Sequence, residues 1–337
     1  MKFYDQKKLR HIHFEPTRDC NARCPQCART DKRTLNTIPS LVMDEVNAKE
    51  LRNLLNSDGF EDIKQVLISG NYGDIVMHTH PRELIEVFIE KNINVHINTN
   101  GGALGEVFWS WLGTTNVEVE FAIDGLEDTH HLYRRNTRYD VVMKNAITFI
   151  NAGGSAHCAM NVFKHNEHQK EELNTRCKNV GFKSIKYRAN ERFGSIDPLE
   201  CYDNKGNVTH YLEPTTDYVE RFKKQQSAPM KEISWTDTKN NSKAVKCRAL
   251  IPEALNGSIY ISGEFKAWPC CWMEYTEMSD FKNSFRKHSF DTINKEFYEK
   301  VTTKWNTPNC LDVCVRKCSV TIVDDRLKND YKVENVQ

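Results

Sequence analysis

The sequence predicts an α/β fold built on a sheet of parallel strands. Six apolar runs with strand character alternate with amphipathic helical stretches, and Gly or Pro stands at many of the segment ends. The length, 337 residues, allows one large domain or two ordinary ones.

The elements follow in chain order. Residues 11–16 (HIHFEP) read as a strand that Pro16 ends. Residues 44–57 have helical spacing, with Asp44 near the start. QVLISG, 65–70, is the compact pattern of a buried strand closed by Gly70. Residues 81–91 form an amphipathic helix with Pro81 in its first turn, where a missing N–H costs nothing. Residues 93–102 are a strand running into a glycine turn, 104–112 a short helix and 117–125 the next strand. A helix over 139–154 stops at glycines, 157–163 is a strand, and a helix over 167–181 ends at Gly181. The stretch 182–189 completes the series. After about residue 195 the rhythm is lost. Residues 197–243 are polar and predict an irregular connection, and 257–269 (GSIYISGEFKAWP) read as a hairpin.

Composition excludes several roles. Lys+Arg 47 against Asp+Glu 46 leaves a net charge of +1, so no global charge drives the chain onto nucleic acid or anionic membrane. Basic residues such as Lys183, Lys186 and Arg188 point weakly to RNA, but no aromatic-basic face accompanies them. Nucleic acid is therefore the less favoured partner. Apolar runs are only a few residues long, whereas a membrane span needs about 20. Met1–Lys8 is polar, without an apolar signal core, which predicts a cytoplasmic location.

The 12 cysteines are the anomaly. Disulfides need an oxidising compartment, and the cysteines are clustered. Cys20, Cys24 and Cys27 form one group; Cys247, Cys270, Cys271, Cys310, Cys314 and Cys318 fall in the last third. Such clustering predicts two metal sites. Cys158, Cys177 and Cys201 lie between and read as small core residues.

Cys20-Asn-Ala-Arg-Cys24-Pro-Gln-Cys27 follows the first strand directly, at the strand end where α/β folds place active sites. Three thiolates can hold three irons of a four-iron cluster and leave the fourth open to another ligand. The same spacing allows a three-thiolate zinc site completed by a distant His, or cysteines with no metal.

With this C-x3-C-x2-C placed after its first strand, the sequence resembles the radical S-adenosylmethionine (radical SAM) family over about residues 9–190. The resemblance implies a partial (β/α)6 TIM-like barrel whose 4Fe-4S cluster binds SAM through an open iron. Further motifs fall in the family's order. Gly70-Asn71-Tyr72-Gly73-Asp74 stands where the family has Gly-Gly-Glu-Pro, which receives the SAM amino group. Asp74 replaces the Glu and Ile75 the Pro. Asn98-Thr99-Asn100-Gly101 resembles the end of the family's third strand, and Ala122-Ile123-Asp124-Gly125 its "SIDG". Ala122 lacks the hydroxyl that a Ser there brings near the ribose. His130 and Arg134 match the following "H-D-x-x-R", which implies that Arg134 pairs with the SAM carboxylate. Gln26 departs from the common aromatic before the third Cys. The implied cofactor contacts are thus Gly70, Asn71, Tyr72, Gly73, Asp74, Asn98, Asn100, Asp124 and Arg134. No catalytic side chain is identified.

The late cysteines resemble the twitch or SPASM extension of such enzymes. Six thiols suit one auxiliary 4Fe-4S cluster better than two. The expected ligands are Cys247, Cys270, Cys314 and Cys318, with Cys271 or Cys310 able to substitute; a zinc ribbon is the alternative. In a helix, Cys310, Cys314 and Cys318 would lie along one face. The implied organisation is a barrel over 1–195, a connection over 196–245 and the extension over 246–337. The implied chemistry is reductive cleavage of SAM to a 5′-deoxyadenosyl radical that abstracts substrate hydrogen. It needs a reducing partner such as flavodoxin or ferredoxin. The substrate is a peptide, ahead of a sugar or small metabolite. An iron–sulfur electron carrier or a zinc-binding module would need no SAM motifs.

Overall fold

A computed structural model describes residues 2–4, 9–193, 195–227, 245, 247–250, 257–275, 281–305, 307, 309–318 and 332–335. Six strand and helix units come first: β1 (His11–Phe14), α1 (Ala48–Leu55), β2 (Gln65–Ile68), α2 (Pro81–Glu90), β3 (Asn94–Thr99), α3 (Glu106–Gly113), β4 (Glu118–Ala122), α4 (His130–Tyr133), α5 (Tyr139–Asn151), β5 (Ser155–Val162), α6 (Lys170–Val180) and β6 (Ser184–Ala189). Each parallel pair is in register, from His11 opposite Gln65 to Ala189 opposite Val162. The helix signals act locally as the sequence predicts. Asn47 and Glu50 form a reciprocal capping box at α1, Pro81 opens α2, and Gly181 closes α6 with φ +103°. The strand expected over 117–125 ends at Ala122.

The second half departs from expectation. Residues 197–243 contain an antiparallel pair, β7 (Leu199–Tyr202) and β8 (Val208–Leu212), and then α7 (Thr216–Ser227). The polar side chains hid the hairpin because its strands face solvent for most of their length. The rest of that stretch, 228–243, lies outside the described residues. The expected hairpin is β9 (Ser258–Ile261) and β10 (Ala267–Trp268). It joins the main sheet: β9 lies parallel to β1, with Ser258 opposite His11. Then come α8 (Phe290–Lys300), α9 (Asp312–Cys318) and β11 (Lys332–Asn335), which pairs antiparallel with β6. The sheet order is β10-β9-β1-β2-β3-β4-β5-β6-β11, a partial barrel widened at both edges.

Alternation along the strands gives this sheet two unlike faces. One face, with Ile12, Phe14, Val66, Ile68, Val95, Ile97, Val119 and Phe121, is buried. The other carries His13, Leu67, His96, Asn98, Glu120, Ala122, His157, Asn161, Lys186 and Arg188 toward the lumen, and most of these side chains are part-exposed. Cys158 and Cys177 lie in the core as expected, thiol beside thiol.

Candidate active site

The C-terminal ends of β1 to β6 form one rim, and the loop after β1 lies on it. Cys20, Cys24 and Cys27 share that loop, and Cys20 lies within electrostatic reach of the other two thiols. Arg29 fixes the loop by donating to the Cys20 carbonyl at 2.9 Å. Two nitrogen donors face the sulfurs: Asn100 Nδ2 is 3.6 Å from Cys20 Sγ, and Arg134 Nη1 is 3.8 Å from Cys24 Sγ. Burial pushes the Cys24 thiol up to about 11, against the pull of Arg134. Burial also raises Cys20 well above the ordinary thiol range, with Asp74 adding to the effect.

The rim motifs are tied to one another. The Asp74 carboxylate accepts from Thr99 Oγ1 (2.7 Å), the Asn100 N–H (2.7 Å) and Asn100 Nδ2 (2.8 Å), which locks the ends of β2 and β3 together. Asp124 accepts from Arg134 Nε at 2.6 Å and from the Asn161 N–H at 2.5 Å. Burial alone would lower the Arg134 pKa, but Asp124 and the Cys24 thiol hold the guanidinium charged. Arg134 is therefore a part-buried linker between β4 and the cysteine loop. Asn98 projects into the lumen with its Oδ1 buried and without a hydrogen-bond partner.

Gly70 and Gly73 are required by close approach. A Cβ on Gly73 would lie 1.7 Å from the Thr17 carbonyl oxygen, and one on Gly70 would lie 2.3 Å from the Gly73 oxygen. The loop between them is held by Glu15, which sequence reasoning missed. Glu15 is fully buried and accepts the N–H groups of Tyr72 (2.6 Å) and Gly73 (2.9 Å). Tyr260 of β9 donates to both Glu15 (3.0 Å) and Glu274 (2.8 Å). Burial, and then the nearby Glu274 charge, push the Glu15 carboxyl up to about 7. Glu274 also binds Arg18 and accepts from Asn71 Nδ2 at 2.8 Å. Asn71 donates at 2.9 Å to the Cys271 carbonyl, so the loop expected to contact cofactor is strapped to the C-terminal segment. Nothing in the pattern F-E-P marks Glu15 beyond an acid at a strand end.

The late thiols come together from three chain segments. Cys247 hydrogen-bonds Cys318, and this contact with burial raises its pKa far above the ordinary thiol value. Burial followed by the Cys318 charge takes Cys270 to about 11. Cys314 is raised by burial to about 12 and lies within reach of Cys270, Cys310 and Cys318. Cys247, Cys270 and Cys314 thus each lie within electrostatic reach of Cys318, with Cys310 beside Cys314 and Cys271 beside Cys270. Cys310 precedes α9 and does not extend its face. The Tyr72 and Tyr275 rings, 5.6 Å apart, stand near Cys27, and Tyr275 is also near Cys271. None of the 12 cysteines forms a disulfide.

Residues 14–176 match the Radical SAM superfamily. This chain carries a radical SAM domain. The match begins on β1 and runs into α6, so it contains the cysteine loop and all the rim motifs. No protein of curated function matches the sequence significantly. Among solved structures, Streptococcus suis SuiB bound to S-adenosylmethionine is similar at 16% identity and a TM-score of 0.57, over 85% of this chain and 66% of that chain. SuiB bound to the precursor peptide SuiA matches at 14% identity and 0.57, over 85% and 65%. Native anSMEcpe with AdoMet and Cp18Cys peptide matches at 14% and 0.51, over 95% and 85%. The chain thus spans about two thirds of SuiB's length, and at these identities the likeness concerns the fold alone.

The radical SAM domain implies a four-iron cluster and SAM. The residues present fit such a cluster. Three thiols spread along one loop suit three separate irons, and donors such as Asn100 and Arg134 beside the sulfurs suit thiolates. Among the described residues no helix is long and apolar enough to cross a membrane.

Proposed function

We propose that the chain is a radical SAM enzyme that modifies or oxidises a peptide. Cys20, Cys24 and Cys27 hold its SAM-binding cluster, and Cys247, Cys270, Cys314 and Cys318 an auxiliary one. The observation that carries this reading is the three-thiol loop at the mouth of a polar lumen, with Asn100 and Arg134 on its sulfurs. When bound, the cluster and SAM supply reductive cleavage of SAM and a radical that removes substrate hydrogen.

The chain's own residues give that chemistry its setting. Arg134, held charged by Asp124, presents its remaining N–H groups to an anionic part of the cofactor. Asp74, Asn100 and Glu15 fix the rim loops so that a ligand meets a preformed surface. The β7–β8 hairpin brings Cys201 and Leu212 into an apolar cluster with Ala22 and Cys24, which shields the Cys24 thiol from water. The C-terminal thiols are strapped to the same rim through Asn71 and Glu274, a placement suited to accepting a substrate electron. Flavodoxin or ferredoxin would supply the first electron. SuiB and anSMEcpe have each been seen with a peptide, which supports a peptide here over a sugar or small metabolite. The organisation proposed is a barrel to residue 195, a connection to 245 and the auxiliary segment beyond, in a cytoplasmic protein.

Anaerobic reconstitution tests the reading. The expected product is brown, absorbs near about 400 nm, holds about eight irons, and releases 5′-deoxyadenosine from SAM under dithionite. A colourless, zinc-loaded protein that leaves SAM intact would overturn it.

A further inference from the structure

The lumen carries a charge arrangement that the cofactor chemistry does not use. Glu120 of β4 points inward and is 2% exposed. Two cations from β6 converge on it: Lys186 Nζ at 2.8 Å and the Arg188 guanidinium. Burial would raise the Glu120 pKa, but Arg188 and Lys186 overcome this and hold it low. Two cations share this one carboxylate, while Glu118, two residues earlier on the same face, sits beside His96 at 3.4 Å, so positive charge is in local surplus at Lys186 and Arg188. Neither His13 nor His157 adds to it. Burial drives His13 down to about 4 and also lowers His157, so both are neutral near pH 7.

Unmet bonding capacity accompanies the charge. Arg188 Nε is buried and has no hydrogen-bond partner, and neither does Asn98 Oδ1 on β3, where Asn98 stands opposite Glu120. An unpaired buried donor is costly, so native proteins rarely leave one without a purpose. Lys186 and Arg188 keep 29% and 33% of their side-chain surface accessible, so a ligand in the lumen can reach them. Position matters as well. Arg188 pairs with Asn161, whose N–H binds Asp124, and Asp124 binds the Arg134 that touches Cys24. The cations therefore lie just inside the rim that bears the cysteine loop.

We infer that Lys186 and Arg188 seat an anionic group of the substrate, most simply a carboxylate, and so select an acidic peptide segment. The inference rests on the reading that the lumen receives the substrate. In the free protein Glu120 occupies the cations and keeps them charged and in place. A substrate carboxylate takes up the guanidinium edge that Glu120 leaves open, and Asn98 Oδ1 accepts an adjacent amide N–H. Carboxylate recognition by a guanidinium fork with a second cation beside it is well suited to this task.

The test compares probes of one shape and different charge. N-acetyl-glutamate N-methylamide and its glutamine counterpart are titrated calorimetrically into the reconstituted protein with SAM. The glutamate probe should bind about ten-fold tighter, as expected for a charge-assisted hydrogen bond. Arg188→Gln should erase that preference, and Glu120→Gln, by freeing both cations, should widen it. Iron content and a thermal melt check that each variant is folded; if Glu120→Gln does not fold, the wild-type preference and Arg188→Gln still decide. Glutarate, a carboxylate without peptide groups, separates the sources. Weaker binding than the glutamate probe supports a peptide, and equal binding means that the seat reads the carboxylate alone and overturns the peptide part. Equal affinity for the two capped probes, including none for either, overturns the seat itself. Release of 5′-deoxyadenosine by the wild-type protein is measured in parallel, so the radical SAM reading stands or falls separately.

Discussion

The two cysteine groups reach similar ends by opposite routes. Cys20, Cys24 and Cys27 share one short loop, and the rigid end of β1 presents all three at once. Cys247, Cys270, Cys314 and Cys318 come from three separated segments that only the folded chain brings together. The first group needs little beyond local geometry. The second depends on β9 docking beside β1 and on the Asn71 and Glu274 strap. If the second group holds a cluster as proposed, it would cross-link distant chain, and metal bound there would also contribute to folding.

The largest effect should come from the compact group. Changing Cys20, Cys24 and Cys27 together to Ala should abolish SAM cleavage while about four irons remain on the C-terminal thiols. Iron and sulfide analysis, with a 5′-deoxyadenosine assay, reads this directly. Retained cleavage would remove the loop from the chemistry.

The converse variant, Cys314→Ser with Cys318→Ser, should also lose about four irons but keep SAM cleavage. It should melt at a lower temperature than the triple variant, because it loses a cross-link between segments. A melting point equal to that of the triple variant would show that the dispersed group gives the fold no more support than the compact one.

Arg134→Ala probes the link between β4 and the compact group. It strands the Asp124 carboxylate, which has no exposed surface, and breaking a buried pair typically costs about 3–5 kcal/mol. Chemical denaturation should show a loss of that order, and calorimetry should show weaker SAM binding. A loss below about 1 kcal/mol would mean that water reaches Asp124 in the variant.

The smallest effect concerns Glu15, which lies between the two groups. Its carboxyl is held near about 7, above the ordinary 4.5. The folded state thus favours the protonated form, so this contribution to stability is full below 4.5 and is lost as pH rises through about 7. Glu15→Gln keeps an acceptor for the Tyr72 and Gly73 N–H groups and should flatten stability against pH over that window. Thermal melts across the window measure it. Equal slopes in wild type and variant would show Glu15 ionised throughout.

Much of the barrel was legible in the sequence, because strand alternation, helix period, caps and breakers are local signals. The segments predicted up to residue 189 all exist, with ends shifted by a few residues. The β7–β8 hairpin was not legible, since its solvated strands carry no apolar alternation. Glu15 and Glu274 looked like ordinary acids, and Lys186 and Arg188 like weak signs of RNA. In the fold both basic residues face Glu120 across the lumen, while Lys183 points to solvent.

The sequence by itself determined the order of strands and helices and the placing of three thiols at a strand end. Those features depend on residues within one or two turns of each other. Tertiary structure alone decided that β9 extends the barrel, that dispersed cysteines converge, and that a buried acid clamps the Gly70–Asp74 loop. It also decided that two cations share one carboxylate inside the lumen. Each of these is a meeting of residues far apart in the chain, and a charge or thiol acquires its role from the neighbour it meets and the water it loses.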